Sequence, residues 1–182
     1  MMKALLLPAL VPAALLSLAG AASAQDAAPI SGPTSGPEIE RSYASPQSFI
    51  ATTTTVPAGS TLIFLSGALP DAADPAAPRG TVAYYGNTET QSASVFAKIE
   101  ATLKSRGLTM GDVVSMTVYL VGDPANEGRM DFAGMMRAYG KYFGTPEQPH
   151  RPSRSTVQVA GLAGPGFLVE IEVTAAKAPA SQ

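Results

Sequence analysis

Two short segments near the C-terminus hold the side chains best suited to chemistry. In Phe167 to Val173, strand alternation puts Phe167, Val169, Ile171 and Val173 on one face and Leu168, Glu170 and Glu172 on the other. The same count groups Arg154, Thr156 and Gln158 against Ser155, Val157 and Val159. This pattern predicts an arginine and a glutamate projecting together, away from whatever covers the apolar side. A guanidinium grips a planar carboxylate through two parallel bonds. A carboxylate can orient a water molecule and accept its proton. Buried charges are usually paired, so an ion pair between subunits fits the same residues. Spacing alone leaves both possibilities open.

Other chemistries are narrowed by what the chain lacks. Its 182 residues include no Cys and one His. That excludes disulfides, thiolate nucleophiles, zinc-thiolate sites and two-His metal sites, and no cofactor or metal is expected. There is no Gly-x-x-x-x-Gly-Lys-Ser/Thr loop, no Gly-x-Gly-x-x-Gly after a strand and no Gly-x-Ser-x-Gly elbow. Gly161, Gly164 and Gly166 cluster around Pro165 and read as a hairpin turn. His150 sits in the Pro-rich loop Pro146 to Pro152, where imidazole has no evident support for proton transfer. With 12 Lys and Arg against 14 Asp and Glu, the formal charge of -2 supplies no basic field for nucleic acid.

The elements that must position these residues follow from composition and periodicity. Hydrophobic residues at 46% against charged residues at 14% predict a folded domain with a core. Strand-like runs cover Phe49 to Val56, Thr61 to Leu65, Thr81 to Tyr85, Val113 to Val121, Ser155 to Ala160 and Phe167 to Ala175. One helix opens with Thr88-Glu89-Thr90-Gln91, a capping-box pattern, places Val95, Phe96, Ile99 and Leu103 at helical spacing and stops at Gly107. A second puts Phe132, Met135, Met136, Tyr139, Tyr142 and Phe143 on one stripe before Gly144. That stripe reads as a helix face packed on a sheet. The expected fold is α+β, a single sheet with two helices on one face. The opposite face then needs cover, and a second subunit is the economical source.

Met1 to Lys3, the apolar stretch Ala4 to Leu18 and the small residues Ala22-Ser23-Ala24 form a secretory signal peptide pattern, with cleavage expected before Gln25. The apolar stretch is short and contains Pro8 and Pro12, unlike a membrane span. A periplasmic or secreted protein, free of the membrane after cleavage, is therefore expected. Residues 25–48 are rich in Pro, Gly, Ser and Ala and predict a flexible leader, followed by the domain at 49–177 and a tail at 178–182.

Several segments, in order, resemble the reactive-intermediate deaminase (RidA/YjgF) family. Pro152-Ser153-Arg154-Ser155-Thr156-Val157 and Leu168-Val169-Glu170-Ile171-Glu172-Val173 are similar to its C-terminal signature. Ser66-Gly67-Ala68-Leu69-Pro70 resembles its early Ser-Gly-Gln-x-Pro segment, and Gln91 matches its helix-opening Gln. Gly107 to Leu120 resembles its Gly-Leu-x-x-x-Asp-Val-Val strand, and Tyr139 with Phe143 fits its Tyr-x-x-x-Phe helix end. Three positions depart from the pattern. Ser45-Pro46-Gln47-Ser48-Phe49 replaces a Gly-Pro-Tyr segment, Ala68 replaces Gln, and Thr156 stands where some members have Cys.

The resemblance implies a chorismate-mutase-like homotrimer with clefts between subunits, in which 2-imino acids or their enamine tautomers are hydrolysed to 2-keto acids and ammonia. Arg154 would hold the substrate carboxylate, Glu170 and the backbone carbonyl of Thr156 would place the attacking water, and Ser66 and Gly67 would line the cleft from the adjoining chain. An imine carbon is already electrophilic, which suits a site without metal or covalent nucleophile. Two other classes stay open: a non-catalytic trimer that captures small carboxylates, and an endoribonuclease, for which one loop His and an acidic chain offer little.

Overall fold

The computed structural model describes residues 38–180. The expected signal peptide and the leader as far as residue 37 lie outside these described residues. The elements run β1 (Glu40–Ser42), β2 (Thr53–Thr55), β3 (Thr61–Ala68), α1 (Val82–Tyr85), α2 (Thr88–Ser105), β4 (Val113–Val121), α3 (Phe132–Tyr139), β5 (Ser153–Val159) and β6 (Val169–Lys177). Four strands form one sheet in the order β3-β6-β4-β5, and β1 with β2 forms a separate antiparallel ribbon. Only β4 and β5 run parallel in the larger sheet. A parallel pair needs a crossover, and α3 lies within it.

Both long helices cover the same face of that sheet. Phe96, Ile99 and Leu103 of α2 and Met135, Ala138 and Tyr139 of α3 share one core with Met116, Val118 and Leu120 of β4 and Val169, Ile171 and Val173 of β6. The α+β arrangement expected from periodicity is therefore present. The opposite face carries Leu62, Phe64 and Val157, whose side chains stay exposed, with Phe64 at 75%. Glu170, Glu172 and Thr174 alternate on this same uncovered face.

Local chemistry departs from the expected elements in several places. The second helix stops at Tyr139, where Gly140 caps it, instead of reaching Phe143, and the Gly161 to Gly166 segment is no hairpin turn, since β4 lies between the β5 and β6 that it links. Thr81 to Tyr85 is a helical turn instead of a strand, because the Thr81 side chain accepts the Tyr84 N–H and Gly86, at φ 86°, ends the turn. Tyr85 then packs on Phe167 with ring centroids 4.4 Å apart. The strand expected from Phe49 to Val56 is confined to β2, and its partner β1 lies inside the stretch expected to be a flexible leader. Two tertiary anchors hold β1 in place. Arg41 Nη2 donates to the carbonyls of Gly111 (2.7 Å) and Val113 (3.3 Å), and the Tyr43 hydroxyl accepts the Arg151 N–H at 3.1 Å.

The start of α2 is a further departure. Its cap is Asn87, whose side chain accepts the Thr90 N–H at 3.0 Å, while Thr88 is buried. Gln91 forms no capping box. It is fully buried, its Nε2 donates to the carbonyls of Gly86 and Gly166 at 2.9 Å each, and its Oε1 accepts the Leu168 N–H at 2.8 Å. One side chain thus ties the start of α2 to the entry of β6, the strand carrying Glu170. Gln91→Met keeps the bulk but leaves two carbonyls and one N–H without this partner. Each such buried group costs about 1–3 kcal/mol. Urea denaturation should therefore show a stability loss of about 3 kcal/mol or more, and a midpoint equal to the parent's would show that the three bonds are dispensable.

Candidate functional site

Arg154 follows the first residue of β5 and is a Cα neighbour of Met116 on β4. Met116 belongs to the helix-covered core, so Arg154 and Thr156 point toward the helices. Glu170 is the Cα neighbour of Tyr119, which also pairs with Val157, and these three point to the uncovered face. The expectation that Arg154, Thr156 and Glu170 share one face is therefore overturned. Parity groups residues within a strand, but the register between strands decides which group meets which.

On the helix side, α3 builds the surroundings of Arg154. The Asp131 side chain caps this helix by accepting the Gly134 N–H at 2.8 Å, which fixes Phe132 at its first turn. The Arg154 guanidinium carbon lies 4.4 Å from the Tyr139 ring centroid and 5.8 Å from that of Phe132. Cations are attracted to such ring faces. Arg154 Nη1 is buried and has no hydrogen-bond partner, and neither has the buried Thr156 Oγ1, among the described residues. Burial lowers the Arg154 pKa, an effect that the Tyr139 phenol partly opposes. Burial also pushes the Tyr139 hydroxyl up to about 12, so it stays protonated and donates to the Phe49 carbonyl at 2.9 Å. A cavity of about 720 Å³ opens beside Arg154, with Phe49, Thr52 and Phe132 on its walls.

The remaining expected site residues gather elsewhere. Gly67 occupies an irregularity in the β3–β6 ladder between Leu65 and Ala68. A Cβ added there would stand 2.8 Å from the Glu170 carboxylate carbon and closer still to Oε1, so only glycine lets that carboxylate lie over the strand. Ser66 precedes it, exposed on β3. Beside them, the Tyr119 hydroxyl donates to Glu172 Oε1 at 2.7 Å, and this bond raises the Tyr119 pKa. Strands β3 and β5 are the two outer strands, three spacings or about 14 Å apart. A single chain consequently brings Gly67 to Glu170 and Arg154 to Thr156, but does not bring the two groups together.

Sequence reasoning missed two members of the Arg154 surroundings. Tyr139 read as part of an apolar helix stripe, and nothing in that stripe distinguished a ring stacked under a cation. Phe49 read as the start of a strand, although it belongs to a loop pinned by the Tyr139 hydroxyl and by a bond from the Ala51 N–H to the Pro152 carbonyl at 2.9 Å. His150 lies in a different cavity with Arg41 and Asp112, and its N–H donates to Gln148 Oε1 at 2.9 Å.

Residues 50–177 match the family described as Endoribonuclease L-PSP, over most of the chain. The chain belongs to this family, the RidA/YjgF group. A RutC family protein of Pyrococcus horikoshii is 35% identical over 92 residues, half of this chain and 64% of that protein. The match thus spans less than two thirds of that relative. The RutC family protein YoaB of Escherichia coli K12 is 34% identical over 86 residues, 47% of this chain and 67% of that one. Among solved structures, E. coli TdcF with bound serine is 28% identical, with a TM-score of 0.51 over 68% of this chain and 85% of that one. A Rid family protein, YyfB of Yersinia pestis, at 23% identity has a TM-score of 0.56 over 76% of this chain and 96% of that one. The latter likeness concerns the fold, which is chorismate-mutase-like in this family.

Protonation of His150 generates a pH prediction. Burial foremost, then the Arg41 charge, lowers its pKa below the ordinary 6.5, while Asp112 opposes the shift. The unfolded chain therefore binds more protons than the folded one between the folded pKa and 6.5. Stability present above pH 6.5 should fall as pH drops through that window. Thermal melts from pH 7.5 to 5 should show this slope in the parent and a flatter one in His150→Gln. Identical slopes would mean that His150 titrates freely.

Proposed function

We propose that the chain hydrolyses reactive 2-imino acids and their enamine tautomers to 2-keto acids and ammonia, in clefts where Arg154 of one copy faces Glu170 of another. The observation that carries this reading is the Arg154 guanidinium, drawn against two aromatic rings with a buried nitrogen unpartnered among the described residues. It also takes part in no ion pair among them. Removing a cation from water without a counter-charge is costly, and a bound carboxylate offsets that cost. The serine held by TdcF, a small molecule with a carboxylate, supports the same ligand class.

In the proposed reaction, Arg154 fixes the carboxylate and thereby the adjacent imine carbon. Glu170, with the Thr156 backbone carbonyl, orients a water. The water oxygen bonds to that carbon as the imine π pair moves to nitrogen, and Glu170 takes the proton the water releases and returns it to nitrogen. The resulting carbinolamine passes its hydroxyl proton to nitrogen through Glu170, and the carbon-oxygen double bond forms as the carbon-nitrogen bond breaks to release ammonia. Ser66 and Gly67 accompany Glu170 into the cleft. A closed ring of three copies, each offering a β5 edge to its neighbour's β3–β6 region, satisfies this pairing and covers the exposed Phe64 face. A trimer that only captures carboxylates would bind a stable keto acid equally well without accelerating imine loss. RNA cleavage is disfavoured because His150 lies apart from Arg154 and the net charge is -2.

The division between copies gives a specific test. Arg154→Lys keeps the charge but loses the two-pronged grip, and Glu170→Gln keeps a hydrogen-bonding group but cannot take a proton. Each variant alone should lose about 30-fold or more in catalytic efficiency with imines freshly made by an amino-acid oxidase, while remaining trimeric by mass. Random reassortment of equal amounts of the two should restore about a quarter of parental activity, because some interfaces then pair two unaltered residues. No recovery on reassortment would contradict a site shared between copies.

Export is proposed from the same N-terminal pattern, Ala22-Ser23-Ala24 before Gln25. N-terminal sequencing of protein from a periplasmic or culture fraction should read from Gln25. An intact Met1 on a cytoplasmic pool would refute it.

A further inference from the structure

We infer that the rings of Phe49 and Phe132 form a side-chain subsite beside Arg154, so that this chain selects carboxylate ligands with a large apolar or aromatic side chain over those the size of an alanine derivative. The inference rests on the reading that Arg154 holds the substrate carboxylate, and it specifies which substrates follow from it. Five large hydrophobic residues are exposed among the described residues. Leu62, Phe64 and Val157 belong to the uncovered sheet face, whereas Phe49 (68% exposed) and Phe132 (43%) both line the cavity that holds Arg154. The same two rings also border a neighbouring cavity of about 580 Å³, whose walls include Met136 and Phe143. A mainly apolar hollow, with Gln47, Arg137 and Arg151 also on its walls, thus shares the Phe49 and Phe132 rings with the cavity of the unpartnered guanidinium.

Neither ring reaches its position by being buried. Phe49 is carried on a short loop anchored by its own carbonyl to the Tyr139 hydroxyl and by the Ala51 N–H to Pro152. Phe132 is carried at the capped start of α3. Their backbones are fixed while most of the Phe49 side chain and nearly half of the Phe132 side chain stay in water, an arrangement that leaves apolar area for a ligand to cover. Tyr139 links both halves of the subsite, with its ring under Arg154 and its hydroxyl on the Phe49 carbonyl. It acts as a positioning residue: the distance between the carboxylate grip and the apolar wall is set through one side chain. A 2-imino acid bound with its carboxylate on Arg154 can direct its side chain into the hollow between these rings. Ala68, standing where the resembled family has Gln, concerns the other end of the cleft, with Gly67.

Full-length mature protein should be compared on imines made by an oxidase from phenylalanine and from alanine, and in calorimetric binding of phenylpyruvate and pyruvate. Covering a phenyl ring corresponds to about a ten- to hundred-fold preference. The parent should favour the phenylalanine-derived imine in kcat/KM, and phenylpyruvate in Kd, by about that factor. Phe49→Ala should shrink both ratios to within about threefold, with Phe49→Leu restoring most of the preference. Tyr139→Phe, which keeps the ring under Arg154 but frees the Phe49 carbonyl, should also reduce the ratios. Parental ratios near unity, or ratios unchanged in Phe49→Ala, overturn the subsite. Should Phe49→Ala fail to fold, Phe132→Ala and the parental ratios decide in the same way. A preference in Kd with no imine turnover supports the subsite and refutes the deaminase reading, whereas binding of neither keto acid overturns both.

Discussion

Each residue of a β-sheet is committed to one face and to one distance from the edge, and that constraint governs the chemistry available to this chain. The order β3-β6-β4-β5 sends Arg154 to one outer strand on the helix side, and Gly67 with Glu170 toward the other outer strand on the bare side. No rotamer change can bring the two groups together across a hydrogen-bonded sheet. Either they act separately, or a second copy brings one edge to the other. The exposed Phe64, beside Thr174, gives the bare side apolar area to bury in such an assembly.

Within one copy, Tyr139 has three roles that depend on one another. Its ring packs in the core with Phe96 and stacks on Phe143 at 4.7 Å, its face lies under Arg154, and its hydroxyl satisfies the Phe49 carbonyl. The burial that makes it a core residue also keeps the phenol protonated, which preserves the donor. A cation is thus held by aromatic contact in place of a carboxylate, and its buried Nη1 keeps no hydrogen-bond partner among the described residues.

The N-terminal ribbon and Gln91 act at a distance from this centre. Arg41 and Tyr43 fasten β1 to the segments around Gly111 and Arg151, so the chain that follows, with Phe49, arrives at the mouth of the Arg154 cavity. Gln91 joins α2 to the entry of β6, upstream of Glu170. Each tether uses long-range hydrogen bonds between a side chain and the backbone, which composition does not display. The leader therefore looked flexible, and Gln91 looked like half of a capping box.

Local pattern determined a great deal here. The alternation of β6, the helical spacing of Val95 to Leu103, the strand at Val113–Val121 and the segments around Arg154 and Glu170 were all legible, because each depends on periodicity or on residues adjacent in the chain. Tertiary structure decided which face each group occupies. Parity along one strand groups Arg154 with Thr156, and along another Glu170 with Glu172. It contains no information on how the two strands align through β4, where Met116 meets Arg154 and Tyr119 meets Glu170. A shift of one residue in either register would reverse the relation. Core packing around Met116, Val118 and Ile171 selects the observed registers, and so it was packing, not the spacing of the charged residues, that separated the arginine from the glutamate.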